Sequence, residues 1–336
     1  MKDYSAYSLR QHNTFGIQAR CRRFLEFQDT EEARMVADAI GGSRFLMIGQ
    51  GSNLLLTGDY EGTVVRSGIK GIEVTGRDDH SVLVRIGSGE AWDDVVALSV
   101  SNQWYGAENL SLIPGDVGAA AVQNIGAYGV EVCELIDYVE AVSIADGQTV
   151  AFTVAECGYG YRQSRFKQEW KNRYLITYVG LRFATRFAPR LDYGNIRSEL
   201  ERRGIEEPTP ERLREVIIDI RRQKLPDPAV EGNAGSFFMN PVVGRNQFQQ
   251  LLRQYPQMPH YYVDDEHEKI PAGWMIEQCG WKGRSLGRAA VHDRQALVLV
   301  NSGGATGSEI VALCEAVRHD VQQKFGIEIR PEVNIV

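Results

Sequence analysis

The chain lacks the marks of several protein classes. It has no basic excess: 37 Lys+Arg stand against 44 Asp+Glu, a formal net charge of -7. That balance argues against nucleic-acid partners. No segment approaches the ~18 to 20 consecutive apolar residues of a membrane span, so no membrane partner is expected. The first residues, MKDYSAYSLRQHN, hold no apolar stretch and are read as no signal peptide. Cysteine is scarce, with five residues at 21, 133, 157, 279 and 314. The count is odd, the spacing wide, and no C-x-x-C occurs. These are expected to be reduced thiols of a cytoplasmic protein, not a disulfide frame or a zinc site. The six His show no metal spacing, so no metal is expected, and His260, His267 and His292 are read as solvated or structural. Proline is only 11 of 336 residues, while 43% are hydrophobic, which excludes wholesale disorder and leaves enough apolar mass for a sizeable core. The length suits two or three domains.

What is present is a mixture of helix and strand periods. Apolar residues at i, i+3, i+4 and i+7 predict a helix over Glu211–Lys224, stopped by Leu225-Pro226-Asp227-Pro228. Further helices are predicted at Glu31–Ile40, Trp92–Gln103, Ala272–Cys279 and Ser308–Phe325. Strands are predicted at Arg44–Ile48, Gly62–Arg66, Tyr138–Ile144, Tyr174–Phe183 and Ala296–Val300, and at Ser81–Ile86, where Val82, Val84 and Ile86 alternate with polar residues. The elements do not follow regular βαβ spacing, so an α+β fold is expected.

Glycine is the outlier, at 34 residues, and it is clustered. The first cluster, GQGSNLLL (Gly49–Leu56), follows a predicted strand. Gly49, Gln50, Gly51, Ser52 and Asn53 could turn backbone N–H groups toward an anion. Neither the P-loop nor the Rossmann pattern is completed, and taken alone such a run is more often a plain turn. The second cluster, IPGDVGAAAVQNIGAYG (Ile113–Gly129), brackets an Ala-rich stretch with four glycines. Ile113, Pro114, Gly115, Gly118, Gln123, Asn124, Gly126, Ala127 and Tyr128 form a length of backbone with little side-chain bulk. It could lie flat on a planar or phosphate-bearing ligand, or serve close helix packing. Two such clusters could clasp the ends of one dinucleotide.

The runs NTFGI (Asn13–Ile17), GQGSNLLL, IPGDVGAAAVQNIGAYG, YRQSRFK (Tyr161–Lys167), LDYG (Leu191–Gly194), KLPDP (Lys224–Pro228), GNAGSFFMNP (Gly232–Pro241), AGWMIEQCGWKG (Ala272–Gly283) and RPEV (Arg330–Val333) occur in one order along nearly the whole chain. In this the sequence resembles the UDP-N-acetylenolpyruvoylglucosamine reductases, the MurB flavoenzymes, in their type I form. The resemblance implies a three-domain FAD-binding fold of the vanillyl-alcohol-oxidase type. Its domains would be 1–68 and 69–207 for FAD and 208–325 for substrate, with the tail 326–336 returning to the first. It implies non-covalent FAD, NADPH as co-substrate, a UDP-sugar substrate and a cytoplasmic monomer. The implied reaction passes a hydride from NADPH through FAD to C3 of UDP-N-acetylglucosamine enolpyruvate, with protonation at C2.

By the same resemblance Arg162 and Glu332 would stabilise charge at the substrate carboxylate, and Ser236 would donate the proton. A fixed guanidinium fork suits a carboxylate, and a carboxyl in Glu332's role would work best protonated, through burial. Tyr193, Lys224, Asn240 and Gln295 match substrate-binding positions. Read by their residues alone, Arg162 lies in a basic run on a solvated face, Ser236 is a loop serine, Glu332 an exposed glutamate, and Lys224 a helix-end cation answering the macrodipole. Ala121, Gln163 and Met239 depart from the family's common Pro, Asp and Lys. Two rival readings remain at this level: a sugar or hydroxy-acid oxidase of the same fold, and a nucleotide-sugar-binding module without catalysis. A serine hydrolase is disfavoured because Phe238 breaks G-x-S-x-G.

Overall fold

A computed structural model describes residues 1–336. The chain forms two compact units. One comprises Met1–Tyr7, Cys21–Gln50 and Glu61–Arg221; the other Ser8–Arg20, Gly51–Tyr60 and Arg222–Val336.

The first unit carries two sheets. The smaller runs in the order Lys2–Ser8, Arg20–Phe27, Tyr60–Ser67, Phe45–Ile48, and its last two strands are parallel, Phe45 facing Thr63 and Ile48 facing Arg66. The helix Thr30–Ile40 precedes that edge. Asp29 caps it by accepting from the Glu32 N–H, and Ala33, Val36, Ala37 and Ile40 form its buried stripe. That stripe packs on Leu25, Phe27, Val65, Val142 and Leu175. The larger sheet is antiparallel throughout, in the order Thr149–Thr153, Ile136–Ser143, Tyr174–Ala184, Ser81–Gly87, Ile72–Arg77. Val82, Val84 and Ile86 alternate into a core shared with Trp92, Val95 and Val96 of the helix Trp92–Ser101 and with Val117, Ala120 and Ala121 of the helix Val117–Gln123. The helix predicted to reach Gln103 stops at Ser101, because Gln103 takes a left-handed backbone, φ 60°. The helix Pro210–Lys224 buries Leu213, Val216, Ile217 and Ile220 against Ile196 and Leu200.

The second unit is built on an antiparallel sheet in the order Gly232–Ser236, Val298–Asn301, Ala289–Val291, Ser285–Leu286. The strand predicted from Ala296 begins at Val298, since Gln295 closes a turn by accepting from the Val298 N–H at 3.0 Å. The helix Gly307–Phe325 starts with a capping box between Thr306 and Glu309 and buries Ile310, Leu313, Val317 and Val321. The C-terminal pair Asn334–Ile335 adds parallel to Leu54–Leu55. Val336 carbonyl oxygen accepts from both the N–H and the hydroxyl of Thr57, at 2.7 and 2.8 Å. The mixed, mainly antiparallel architecture is the expected α+β class.

Candidate active site

Gly49 and Gln50, the part of the first glycine cluster that lies in the first unit, meet the second cluster there. Gln50 Nε2 donates to Asp116 Oδ1 at 2.7 Å. A Cβ placed on Gly49 would stand 3.1 Å from Asp116 Oδ2 and 3.2 Å from Ala119 Cβ, so the absent side chain is what permits the approach. Gly118 serves the same end: its N–H donates to the Ser88 carbonyl at 2.9 Å, and a Cβ would lie 2.8 Å from Ser88 Cβ. Ahead of them, Asp93 holds the Leu112 N–H at 2.6 Å. Leu112 is left-handed (φ 58°), and Gly115 also takes positive φ (126°), so the Ile113-Pro114-Gly115 turn is bent by two unusual dihedrals.

After the helix Val117–Gln123 the backbone enters a second turn, again with unusual dihedrals at Asn124 (φ 47°) and Tyr128 (φ 49°). Asn124 is wholly buried. Its amide donates to Glu131 at 2.9 Å and to the Gly160 carbonyl at 2.8 Å, and its oxygen accepts from Cys133 N–H. Ala127 pairs with Val130 to close the loop. Arg162 is not on a solvated face: its side chain is 14% exposed and lies 3.8 Å from Glu131. Its guanidinium donates to the Asn124 and Gly126 carbonyls. A Cβ on Gly126 would meet Arg162 Nη1 at 2.6 Å. Arg162 itself sits at φ 103°, a setting that costs an L residue about 1–3 kcal/mol and clusters at functional sites. On the same loop, the Tyr193 Cβ lies 3.2 Å from where a Gly129 Cβ would be. Arg162, Tyr128 and Tyr193 are thus gathered on one turn of the first unit.

Ser236 and Glu332 belong to the second unit, where an isolated bridge between Phe238 and Pro331 brings their backbone segments together. Ser236 faces Val298 at the end of its strand, where the register slips between Asn233 and Ser236. Gly235 provides the positive φ (68°), and Asn233 Oδ1 accepts the Gly235 N–H at 2.9 Å. Such a bulge re-aims a side chain. Here Ser236 is exposed while Phe237 and Phe238 are buried behind it. The NTFGI run supports this strand: Asn233 N–H donates to Thr14 at 3.1 Å, and Asn301 donates to the Phe15 carbonyl at 2.9 Å. Along the other edge, Met239 N–H donates to the Arg330 carbonyl at 2.9 Å and Glu332 N–H to the Phe237 carbonyl at 2.8 Å. Asn53 then clasps the tail, its amide donating to the Glu332 carbonyl at 3.3 Å and its carbonyl accepting the Asn334 N–H at 3.1 Å. Gly51, in the same turn, has positive φ (73°), and a Cβ there would lie 2.0 Å from the His12 carbonyl. Ser52 lies between Gly51 and Asn53 and is half-buried.

Asn240 and Gln295 both sit at the start of the helix Ala272–Gln278. Asn240 Oδ1 accepts the Ala272 N–H at 2.9 Å, and Gln295 Oε1 is 3.2 Å from where a Gly273 Cβ would stand. Lys224 ends its helix. The three histidines read as structural have ordinary surroundings: His260 and His267 face Glu268 and Asp264 at 3.0 and 2.8 Å, and His292 is buried. The cysteines are free.

Two residues were missed from the sequence. Asn109, buried, donates to the carbonyls of Tyr128 and Arg190 at 2.9 and 3.0 Å and so carries the Tyr128 turn. Asp116 joins the clusters. Its signal was a lone acid inside an otherwise small, apolar run.

Residues 227–336 match the family described as UDP-N-acetylenolpyruvoylglucosamine reductase, C-terminal domain, and residues 23–153 match an FAD binding domain. The UDP-N-acetylenolpyruvoylglucosamine reductase of Bacteroides fragilis (strain YCH46) is 55% identical over 332 residues, covering 98% of this chain and 99% of that protein. The protein of the same name from Porphyromonas gingivalis (strain ATCC 33277) is 47% identical, covering 98% of each. Among solved structures, UDP-N-acetylenolpyruvylglucosamine reductase (MurB) from Thermus caldophilus is similar in fold, with a TM-score of 0.68 at 21% identity, covering 99% of this chain and 98% of that one.

Proposed function

The chain belongs to the UDP-N-acetylenolpyruvoylglucosamine reductase family, and on that footing we propose that Arg162, Ser236 and Glu332 carry its chemistry. It is an FAD-dependent oxidoreductase that reduces UDP-N-acetylglucosamine enolpyruvate in peptidoglycan precursor synthesis. The observation that carries this reading is the 55% identity over 98% of the chain. The residues present fit an FAD. Two glycine segments converge at Gln50 and Asp116, inside the stretch matching an FAD binding domain, and the missing side chains of Gly49 and Gly118 let their main chains pack closely there. Gly49, Gln50, Gly51, Ser52, Asn53 and the Ile113–Tyr128 segment would hold the cofactor non-covalently.

Bound FAD supplies the hydride relay between NADPH and the vinyl carbon of the substrate. The side chains orient, stabilise and protonate. Arg162, fixed by two loop carbonyls, answers the substrate carboxylate, where negative charge builds as C3 is reduced. Glu332, its backbone held by Phe237 and Asn53, would answer the same developing charge in the family's reaction. Ser236, turned outward by its bulge, gives its hydroxyl proton to C2. Tyr193, Lys224, Asn240 and Gln295 bind the UDP-sugar, with Lys224 as a point charge at the diphosphate. The division into 1–68, 69–207 and 208–325, with a returning tail, belongs to this reading, as do a monomeric state and a cytoplasmic place of action. No helix is long and apolar enough to cross a membrane.

The test is anaerobic. The yellow protein bleaches with NADPH and regains its colour when UDP-N-acetylglucosamine enolpyruvate is added. Colour that returns only on admitting air overturns the reading.

A further inference from the structure

The second glycine segment is laid against residues 88–93 by a row of hydrogen bonds, all within the first unit. The Trp92 indole donates to the Leu110 carbonyl at 3.0 Å, and the Trp92 N–H to the Gly115 carbonyl at 2.9 Å. Val117 N–H donates to the Glu90 carbonyl at 2.9 Å. One contact in the row is of another kind. The N–H of Leu112, the left-handed residue where the chain bends, is held by a carboxylate, Oδ1 of Asp93, at 2.6 Å. That carboxylate is itself tied to a third element. Arg214, on the helix Pro210–Lys224, donates through Nη1 to Oδ1 at 2.7 Å and through Nη2 to Oδ2 at 3.1 Å. Such a fork fixes direction as well as distance. The pair is shielded, with 15% of the Arg214 side chain and 29% of the Asp93 side chain exposed. Asp93 also stands in the first turn of the helix Trp92–Ser101, where the macrodipole favours negative charge. Burial opposes that charge, yet Arg214, the Leu112 N–H and Arg221 together hold the carboxyl below its usual range. The helix of Arg214 reaches the far end of the glycine segment as well, because Tyr128 packs on the apolar cluster that Leu213 and Ile217 join.

We propose that Asp93 and Arg214 are positioning residues of the flavin site: their ion pair latches the Leu112 bend, and with it the Ile113-Pro114-Gly115 turn, in the shape that receives FAD before the cofactor arrives. This deepens the FAD reading above and rests on it. Neither side chain has to touch the cofactor. A left-handed leucine is not the backbone's own preference, so an unlatched turn spreads over other shapes. FAD then binds only the fraction that is correctly bent, and its apparent affinity falls by that fraction.

The experiment strips FAD from the protein, follows its rebinding by the change in flavin fluorescence, and measures amide exchange over residues 110–116 in the flavin-free state. In Arg214→Ala the dissociation constant for FAD rises about tenfold, and the Leu112 amide exchanges faster. Arg214→Lys keeps the charge but not the fork, and falls between that variant and the parent. Asp93→Asn gives a rise like that of Arg214→Ala. The double variant is no worse than the worse single one, because both substitutions open one latch. Should Asp93→Asn fail to fold, the two Arg214 variants decide, since alanine and lysine both suit a helix. Parent-like FAD affinity in Arg214→Ala overturns the proposal even where the flavin-free protein melts at a lower temperature, because the pair then braces the fold alone. Losses that simply add in the double variant overturn it too. A parent protein that takes up no flavin sinks the FAD reading instead.

Discussion

Glu332 donates its backbone N–H to the carbonyl of Phe237 at 2.8 Å, across the isolated bridge between Phe238 and Pro331, and so lies opposite the residue that follows Ser236. Main-chain pairing thus fixes the backbone that carries Glu332 against the segment that follows Ser236.

Ser236→Ala should leave bleaching by NADPH intact and slow return of the colour with substrate by roughly 10²–10⁴-fold. Stopped-flow absorbance separates the two halves. Equal rates in both halves of the variant remove serine from the proton path.

Arg162→Lys should cost roughly 10²-fold in kcat/KM, because one ammonium cannot hold the Asn124 and Gly126 carbonyls and still offer a fork to a carboxylate. Reduction by NADPH should change far less. Parent-like steady-state kinetics with the sugar nucleotide would refute the assignment.

Gly129→Ala should raise KM for the sugar nucleotide several-fold more than it lowers kcat. The methyl would meet Tyr193 Cβ at 3.2 Å in a backbone of φ 79°, which costs an L residue about 1–2 kcal/mol. Initial-rate kinetics give the two constants, and an unchanged KM would show that Tyr193 does not contact substrate.

Removing residues 334–336 should lower stability by about 2–4 kcal/mol, since the pairing on Leu54–Leu55 and both Thr57 bonds go with them. Turnover should fall further than stability, because Asn53 loses the Asn334 half of its grip beside Glu332. Chemical denaturation and activity on the same sample compare the two.

Acid should expose one charge in particular. Glu309 accepts from the Thr306 N–H and hydroxyl and pairs with Arg288 at 2.9 Å. Arg288 first, then Thr306, draw its pKa down from 4.5 to about 2. The folded value is the depressed one, so its stabilisation is present above pH 4.5 and is lost as pH falls toward 2. Glu309→Gln, which keeps the cap and drops the charge, should be less stable than the parent at pH 7 and equal to it near pH 2, as urea melts would report.

The long elements were legible because their burial is periodic. Leu213, Val216, Ile217 and Ile220 announce a helix, and Val82, Val84 and Ile86 a strand. The strands Lys2–Ser8 and Ile72–Arg77 were not, because almost every side chain on them is exposed and their burial follows no period. The glycines were visible as clusters, but their uses depend on residues far along the chain: Asp116 for Gly49, Ser88 for Gly118, Arg162 for Gly126. Arg162 looked like part of a solvated basic run for the same reason, since the carbonyls that hold it come from the turn at 124–126.

The second unit is assembled from 8–20, 51–60 and 222–336. During synthesis its two early stretches can meet each other, Thr14 N–H donating to the Gly51 carbonyl at 3.2 Å, but the rest of the unit is missing until translation has passed residue 222. Leu54 and Leu55 have no strand to join until the last residues leave the ribosome. Long sequence separation of this kind slows folding and leaves apolar edges open on the nascent polypeptide. Chaperone capture of such an intermediate would compete with aggregation, and a ribosome stalled short of the end would release a chain whose serine strand had formed without the glutamate that belongs beside it.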